Sequence, residues 1–253
     1  MKLFKKTNTS NLFYDEKLNL SQIANKFETD KGTEESLNLS WGKDYPQHRC
    51  MHYTVTYEKY MQSFRNSNVN MLEIGVCDKR FPYASIKMWL SYFKNIDFYA
   101  MDNFWNHSLE DKLDEVKDLN NSGVNFIYSD QGSFQNWDSI NRLFHNKFDF
   151  IVEDGSHWPN HMVVSLWKSI GILKKGGYYF MEDIQNPVKS RGWFKYDNSL
   201  LAENLLETLS TKKLDCHFLN DQQNKDVNNN FELVDMILDP YKTHYIAVFK
   251  KIK

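Results

Sequence analysis

Cysteine is scarce: only Cys50, Cys77 and Cys216 are present. They are widely spaced, odd in number and form no Cys-x-x-Cys pair, which argues against a disulfide framework and against a thiolate metal site. Such usage suits a reducing cytoplasm. Long apolar runs are also missing. None approaches the roughly 20 residues of a membrane span, and the opening MKLFKKTNTSNLFYDEK lacks the continuous apolar centre of a signal peptide. Nor is there an excess of positive charge. Lys and Arg number 31 against 33 Asp and Glu, with no basic face or stripe, so the expected ligand is a small molecule and not a nucleic acid. A homo-oligomer is left open. Finally, LEIGVCDKR contains only one glycine, Gly75. Without a GxGxxG loop to bring backbone amides against a pyrophosphate, NAD, FAD and P-loop nucleotides are disfavoured.

What the chain does have is apolar and aromatic content, 41% and 15% of 253 residues, enough for one large α/β domain. Strand-like runs recur at 69–76, 96–102, 124–130, 148–154 and 177–183. Helical periodicity fills 85–93, 108–120 and 161–177, the last ending in Gly-Gly. Such alternation predicts a parallel sheet with crossover helices. The tail changes rhythm: 231–239 and 244–252 read as an antiparallel hairpin. The expected fold is therefore α/β, a Rossmann-like, seven-stranded, mostly parallel sheet with a C-terminal antiparallel hairpin and helices on both faces. Residues 1–66 are expected to form an N-terminal helical cap and 67–253 the main domain. The Asn-rich 220–230 reads as an exposed loop.

Ligands of open parallel sheets lie beyond the carboxyl ends of the strands, and here four consecutive strands end in acid: Asp102, Asp130, Glu153-Asp154 and Glu182-Asp183. One such acid is ordinarily a cap or turn residue. Four on one rim repel one another and call for a compensating cation, and the neighbouring sequence offers no basic cluster. Asp154, Glu182 and Asp183 are hard oxygen donors suited to Mg²⁺, with Ca²⁺ or Mn²⁺ also open. S-adenosylmethionine carries a ribose but no phosphate, so its site needs fewer glycines, and Asp102 can accept hydrogen bonds from both ribose hydroxyls.

The segments LEIGV, SDQG, IVEDGSH and GGYYFMEDI, in this order and ahead of a hairpin, resemble the class I S-adenosylmethionine-dependent O-methyltransferases. They are most similar to the metal-dependent sugar O-methyltransferases of antibiotic biosynthesis and related surface-glycan enzymes. FETDKGT and HYTVTYEKY resemble that family's segments before the first strand, so the likeness runs over roughly residues 25 to 252. The resemblance implies that Asp154, Glu182 and Asp183 hold the metal and that His157 is the general base. It further implies that Glu73 and Gly75 contact the cofactor's methionine portion, with Ser85 a further candidate. Asp102 would meet the ribose, and Asp130 with Gln131 the adenine side. Two departures mark this chain: Glu153-Asp154 where the family often has Asp-Asp, and CDKRFPY where it often has a glycine.

These features predict a Mg²⁺-assisted methyl transfer to a hydroxyl of a sugar or polyol, or to a phosphate or phosphoramidate oxygen, in natural-product or surface-polysaccharide biosynthesis. The alternative is a cofactor-binding scaffold without turnover. The three-residue step from Asp154 to His157 would link activation of the acceptor oxygen with its deprotonation. His161 reads as a packing or substrate residue more than as half of a zinc pair. His52, Tyr53 and Tyr57 are either an amphipathic helix face or, by the resemblance, part of the substrate pocket. Lys31 is either a solvated charge or an anion contact. Trp158, Trp193 and Phe194 are candidate aromatic walls. The stretch NPVKSRGWFKYDN is a candidate lid, in which Arg191, with Lys189 and Lys195, could meet a phosphorylated acceptor.

Overall fold

The computed structural model describes residues 1–6, 13–33, 50–76, 83–104, 107–188 and 199–253. Five parallel strands form its centre: β2 (Asn68–Ile74), β3 (Asn95–Asp102), β4 (Val124–Tyr128), β5 (Phe148–Glu153) and β6 (Leu173–Gln185). The hairpin strands β7 (Phe231–Leu238) and β8 (His244–Lys251) extend it, β8 running antiparallel to β6. With β1 (Lys2–Phe4) the order is β1-β4-β3-β2-β5-β6-β8-β7.

The described sheet thus has eight strands where seven were expected. The extra one, β1, lies inside the segment read as helical cap and pairs antiparallel with the edge of β4. Three residues are too few to display a period of two, so only the partner strand reveals it. Lys6 secures this edge by an ion pair with Asp97 at 2.9 Å.

Helices α1 (Leu20–Lys26), α2 (Tyr53–Met61), α3 (Ala84–Tyr92) and α4 (Leu113–Asn121) share one apolar layer against the sheet. Helices α5 (Phe134–Leu143), α6 (Pro159–Ser169), α7 (Ser199–Thr211) and α8 (Asp221–Asn230) share the other. Strand residues alternate between the layers as the pleat requires: Met71, Phe150, Val152 and Phe180 join the first, Leu72, Ile151, Tyr179 and Met181 the second. Both faces are covered, which is why the central strands read as nearly continuous apolar runs.

Two further readings are corrected. Residues 220–230 hold a helix, not an exposed loop. Asn220 and Gln223 close a reciprocal capping box at its start, and Asn224 and Val227 are buried along it. The Gly-Gly at 176–177 does not stop α6, which ends at Ser169. Both glycines lie within β6, where Gly176 has φ 83° and the pairing with β5 shifts register between Phe148 and Phe150. Among the described residues no helix is long and apolar enough to cross a membrane.

Candidate active site

The pleat decides which acids meet. Glu73 lies one position past Leu72, and Glu182 one past Met181, so both fall on the side of α1–α3. Asp183 should then face the opposite way. It does not, because β6 slips against β8 between Met181 and Ile184 and Asp183 adopts φ 55°. That irregularity turns the Asp183 carboxylate towards α2, where it accepts a hydrogen bond from the Tyr53 hydroxyl at 2.7 Å. His157 is also left-handed, at φ 55°, a conformation that costs roughly 1–2 kcal/mol in a residue with a Cβ. Two such residues in one small region show backbone strain concentrated there.

Among the described residues, Asp154, His157 and Asp183 form a cluster whose donor atoms all lie within 4.8 Å of one another. His157 Nε2 stands 3.7 Å from Asp183 Oδ2 and 3.9 Å from Asp154 Oδ1. These gaps are too long for hydrogen bonds. They suit atoms converging on a common cation, since ligands 2.0–2.1 Å from Mg²⁺ sit at most roughly 4.2 Å apart. Glu182 strengthens the fit: its Oε1 is buried without a hydrogen-bond partner, an uncompensated acceptor. The carboxylates supply hard oxygen donors compatible with a divalent ion, with the imidazole beside them.

Of the expected ligands, Asp154 and Asp183 fall in this cluster together with His157. Glu182, next to Asp183, has its carboxylate paired with Lys31. The Lys31 ammonium, 3% exposed, forms ion pairs with both Asp154 and Glu182. It supplies the compensating cation that the neighbouring sequence lacked, from a turn far away in the chain.

Ionisation follows these contacts. Burial raises Glu182 to about 8, with Lys31 opposing, and raises Glu73 and Glu153 to about 7. Burial also raises Asp154 against the pull of Lys31. Asp183 is lowered: its burial is outweighed by His157, His244 and the Tyr53 hydroxyl. Burial disfavours charge on His157, but Asp183, Asp154 and Glu153 outweigh it and raise its pKa. His244, which opens β8 opposite Gln185, was not anticipated. Only the strand pairing brings it near Asp183.

Gly75 has φ 82°, and a Cβ there would fall 2.0 Å from the Asp154 carbonyl oxygen. The absent side chain lets the tips of β2 and β5 close together, which fixes Asp154 beside the turn after β2. Asp102 accepts from the backbone amides of Val76 at 3.0 Å and Phe104 at 2.6 Å, tying together the turns after β2 and β3. Ser85 donates to Glu73 at 3.1 Å, and Asp130 accepts from the Gly132 amide at 2.8 Å.

Gln131, expected on the adenine side, has both ends of its side chain engaged within the protein. Its side-chain amide donates to Glu153 at 2.8 Å and accepts from the Ser156 backbone at 2.9 Å, so it braces the turn that carries His157. Tyr57, read as either a helix face or a pocket residue, takes the first role. It is fully buried between Trp89 and Phe180, with ring centroids 5.0 Å away on each side, and belongs to the core, not to a pocket. Trp158 stacks on His161, whose Nδ1 meets Ser156 Oγ at 3.0 Å; His161 takes no part in the cluster. His52 and Tyr53 line a cleft of about 220 Å³ with Met51, Thr56, Leu238 and Pro240, and Tyr53 joins that cleft to Asp183. Arg191, Lys189, Lys195, Trp193 and Phe194 fall outside the described residues, as does most of CDKRFPY.

The chain is 30% identical over 137 residues to mycinamicin VI 2''-O-methyltransferase of Micromonospora griseorubida, a match covering 52% of this chain and 31% of that protein. It is 31% identical over 136 residues to 8-demethyl-8-alpha-L-rhamnosyl tetracenomycin-C 2'-O-methyltransferase of Streptomyces olivaceus, covering 53% and 33%. Its relatives are sugar O-methyltransferases. The chain spans about a third of the length of the curated relatives it matches. Among solved structures, the MycE methyltransferase in complex with Mg, S-adenosylhomocysteine (SAH) and mycinamycin VI superposes with a TM-score of 0.62. That match has 23% identity over 94% of this chain and 56% of MycE, so this chain shares the methyltransferase fold. No family model matches the chain.

Proposed function

We propose that this chain is an S-adenosylmethionine-dependent O-methyltransferase, assisted by Mg²⁺ or a similar divalent ion, acting on a hydroxyl of a sugar or polyol. The observation that carries the reading is the convergence of Asp154, His157 and Asp183 beside the Gly75 bend. Kinship to sugar O-methyltransferases supports the acceptor class. A phosphate or phosphoramidate oxygen is a finer variant, as is a role in natural-product or surface-polysaccharide biosynthesis.

Asp154 and Asp183 would hold the ion, and the buried Oε1 of Glu182, which has no hydrogen-bond partner, would be a further donor. When bound, the ion would lower the pKa of the acceptor hydroxyl, and the cofactor would supply the methyl group. His157 then accepts the hydroxyl proton at Nε2. Neutralising Asp154 and Asp183 removes the charges that raise this imidazole's pKa, so it is freed for use as a base. Tyr53 holds Asp183 in its left-handed place, and Gln131 holds the turn through Ser156. Glu73, Gly75, Ser85, Asp102 and Asp130 would contact the cofactor, and His52, Tyr53 and Trp158 the acceptor. In-line transfer depends on that positioning, since the reacting oxygen must be held close to the methyl.

The test is incubation with S-adenosylmethionine, MgCl₂ and a panel of glycosides, nucleotide sugars and phosphorylated polyols, read by mass spectrometry for one added methyl group. Cofactor binding by calorimetry, with no methylated product in any arm, would favour a scaffold instead.

A further inference from the structure

The turn that carries Lys31 is fixed on both sides. Gly32 N–H donates to the Thr29 carbonyl at 3.1 Å, Thr54 N–H to the Lys31 carbonyl at 3.1 Å, and His52 N–H to the Gly32 carbonyl at 3.1 Å. These bonds lace the segment after α1 to the start of α2. Asn25 Oδ1 also accepts from the Thr33 amide at 2.9 Å, and a Cβ on Gly32 would fall 2.3 Å from that oxygen. The ammonium is therefore delivered by backbone already held in place. It enters the site as a buried charge paired with Asp154 and Glu182.

Burying an ammonium is costly unless it is paired, and here the pairing uses an acid of the proposed cation cluster together with its neighbour. We infer that Lys31 is a built-in competitor cation. It neutralises Asp154 and Glu182 while no metal is bound, and it caps the affinity of the site for a divalent ion. This inference rests on the divalent-cation reading proposed above. Its physical content is charge repulsion: the incoming ion either displaces the ammonium from Asp154 or binds beside it, and both weaken binding relative to a neutral side chain. The benefit is a site whose acids are compensated before metal loading.

The experiment uses the full chain, stripped with EDTA and dialysed, with MgCl₂ as the only ligand. Wild type, Lys31→Met and Lys31→Arg are compared by calorimetry and by thermal unfolding with and without Mg²⁺. Methionine keeps the length of the stem and removes the charge. Lys31→Met is expected to bind Mg²⁺ at least about tenfold more tightly, or about 1.4 kcal/mol. It should also melt below wild type in EDTA and gain more from Mg²⁺ than wild type does. Lys31→Arg, which keeps the charge, should bind no more tightly than wild type. A folded Lys31→Met with equal or weaker Mg²⁺ affinity would overturn the inference and make Lys31 a positioning residue for Glu182. If Lys31→Met does not fold even in Mg²⁺, Lys31→Gln, neutral but able to hydrogen-bond both acids, decides by the same titration. Mg²⁺ binding by wild type without tightening in either neutral variant defeats the competitor role alone. Absence of Mg²⁺ binding in wild type and in every variant defeats the metal reading, and the inference with it.

Discussion

Gln131→Leu separates an internal brace from a cofactor contact. The wild-type side chain is 7% exposed, donates to Glu153 and accepts from the Ser156 amide. Leucine approximates its volume but makes neither bond. The Ser156 amide is then left partly buried without this partner, at about 1–3 kcal/mol, and Glu153 Oε1 keeps only the 3.3 Å bond from the Gly155 amide, a further loss of about 1 kcal/mol. Added leucine–core contact offsets a small part of that sum, so a net loss of about 2–4 kcal/mol follows. For a domain of this size each kcal/mol lowers Tm by about 2–4 °C, giving a decrease on the order of 10 °C. Because Ser156 precedes His157, methyl-transfer kcat should fall at least about tenfold, while SAH affinity changes by less than about threefold. Circular dichroism melting, calorimetry with SAH and initial rates test this directly. A Tm close to wild type combined with a large loss of SAH affinity would refute the brace and return Gln131 to the adenine side.

His157→Ala should abolish turnover while the folded protein still binds Mg²⁺ and SAH; loss of Mg²⁺ binding would instead make the imidazole a ligand. Asp183→Asn should weaken Mg²⁺ binding at least about tenfold, whereas Tyr53→Phe, which removes the 2.7 Å bond to the Asp183 carboxylate and the 3.3 Å bond from its amide, should cost about 1–3 kcal/mol of stability; an Asp183→Asn protein with unchanged Mg²⁺ affinity would contradict the cluster. The pH dependence of the metal-free protein has a definite sign. Glu153 is raised from 4.5 to about 7 by burial, so the folded state holds the proton more tightly, and this stabilisation is full below about 4.5 and lost as pH rises through about 7. Tm in EDTA should therefore fall between pH 5 and 8, and Glu153→Gln should flatten the decline; an unchanged slope would show that Glu153 does not contribute to it.

The α/β alternation, the hairpin ending and the acids that follow four of the apolar strand runs were legible in the sequence. All three are local: a period of two, a period of 3.6 and the residue that follows an apolar run are written in adjacent positions. Asp154 and Asp183 were conspicuous for the same reason, since each follows an apolar run, and His157 through the motif that carries the family resemblance. Residues 220–230 defeated that reading because Asn is abundant in loops, yet one Asn in the capping position and two buried side chains suffice for a helix.

The tertiary structure alone decided the rest. Lys31 reaches Asp154 and Glu182 across 123 and 151 positions, and no local pattern encodes a partner at that separation. Asp183 joins the cluster through a slip against β8, a strand some sixty residues later in the chain, and only packing shows Gln131 bracing the Ser156 turn and Tyr57 seated in the core. Sequence fixes which faces each element can present. Which charges then share a low-dielectric space is settled only when the elements pack, because that choice depends on long-range pairing and on the cost of leaving a buried charge alone.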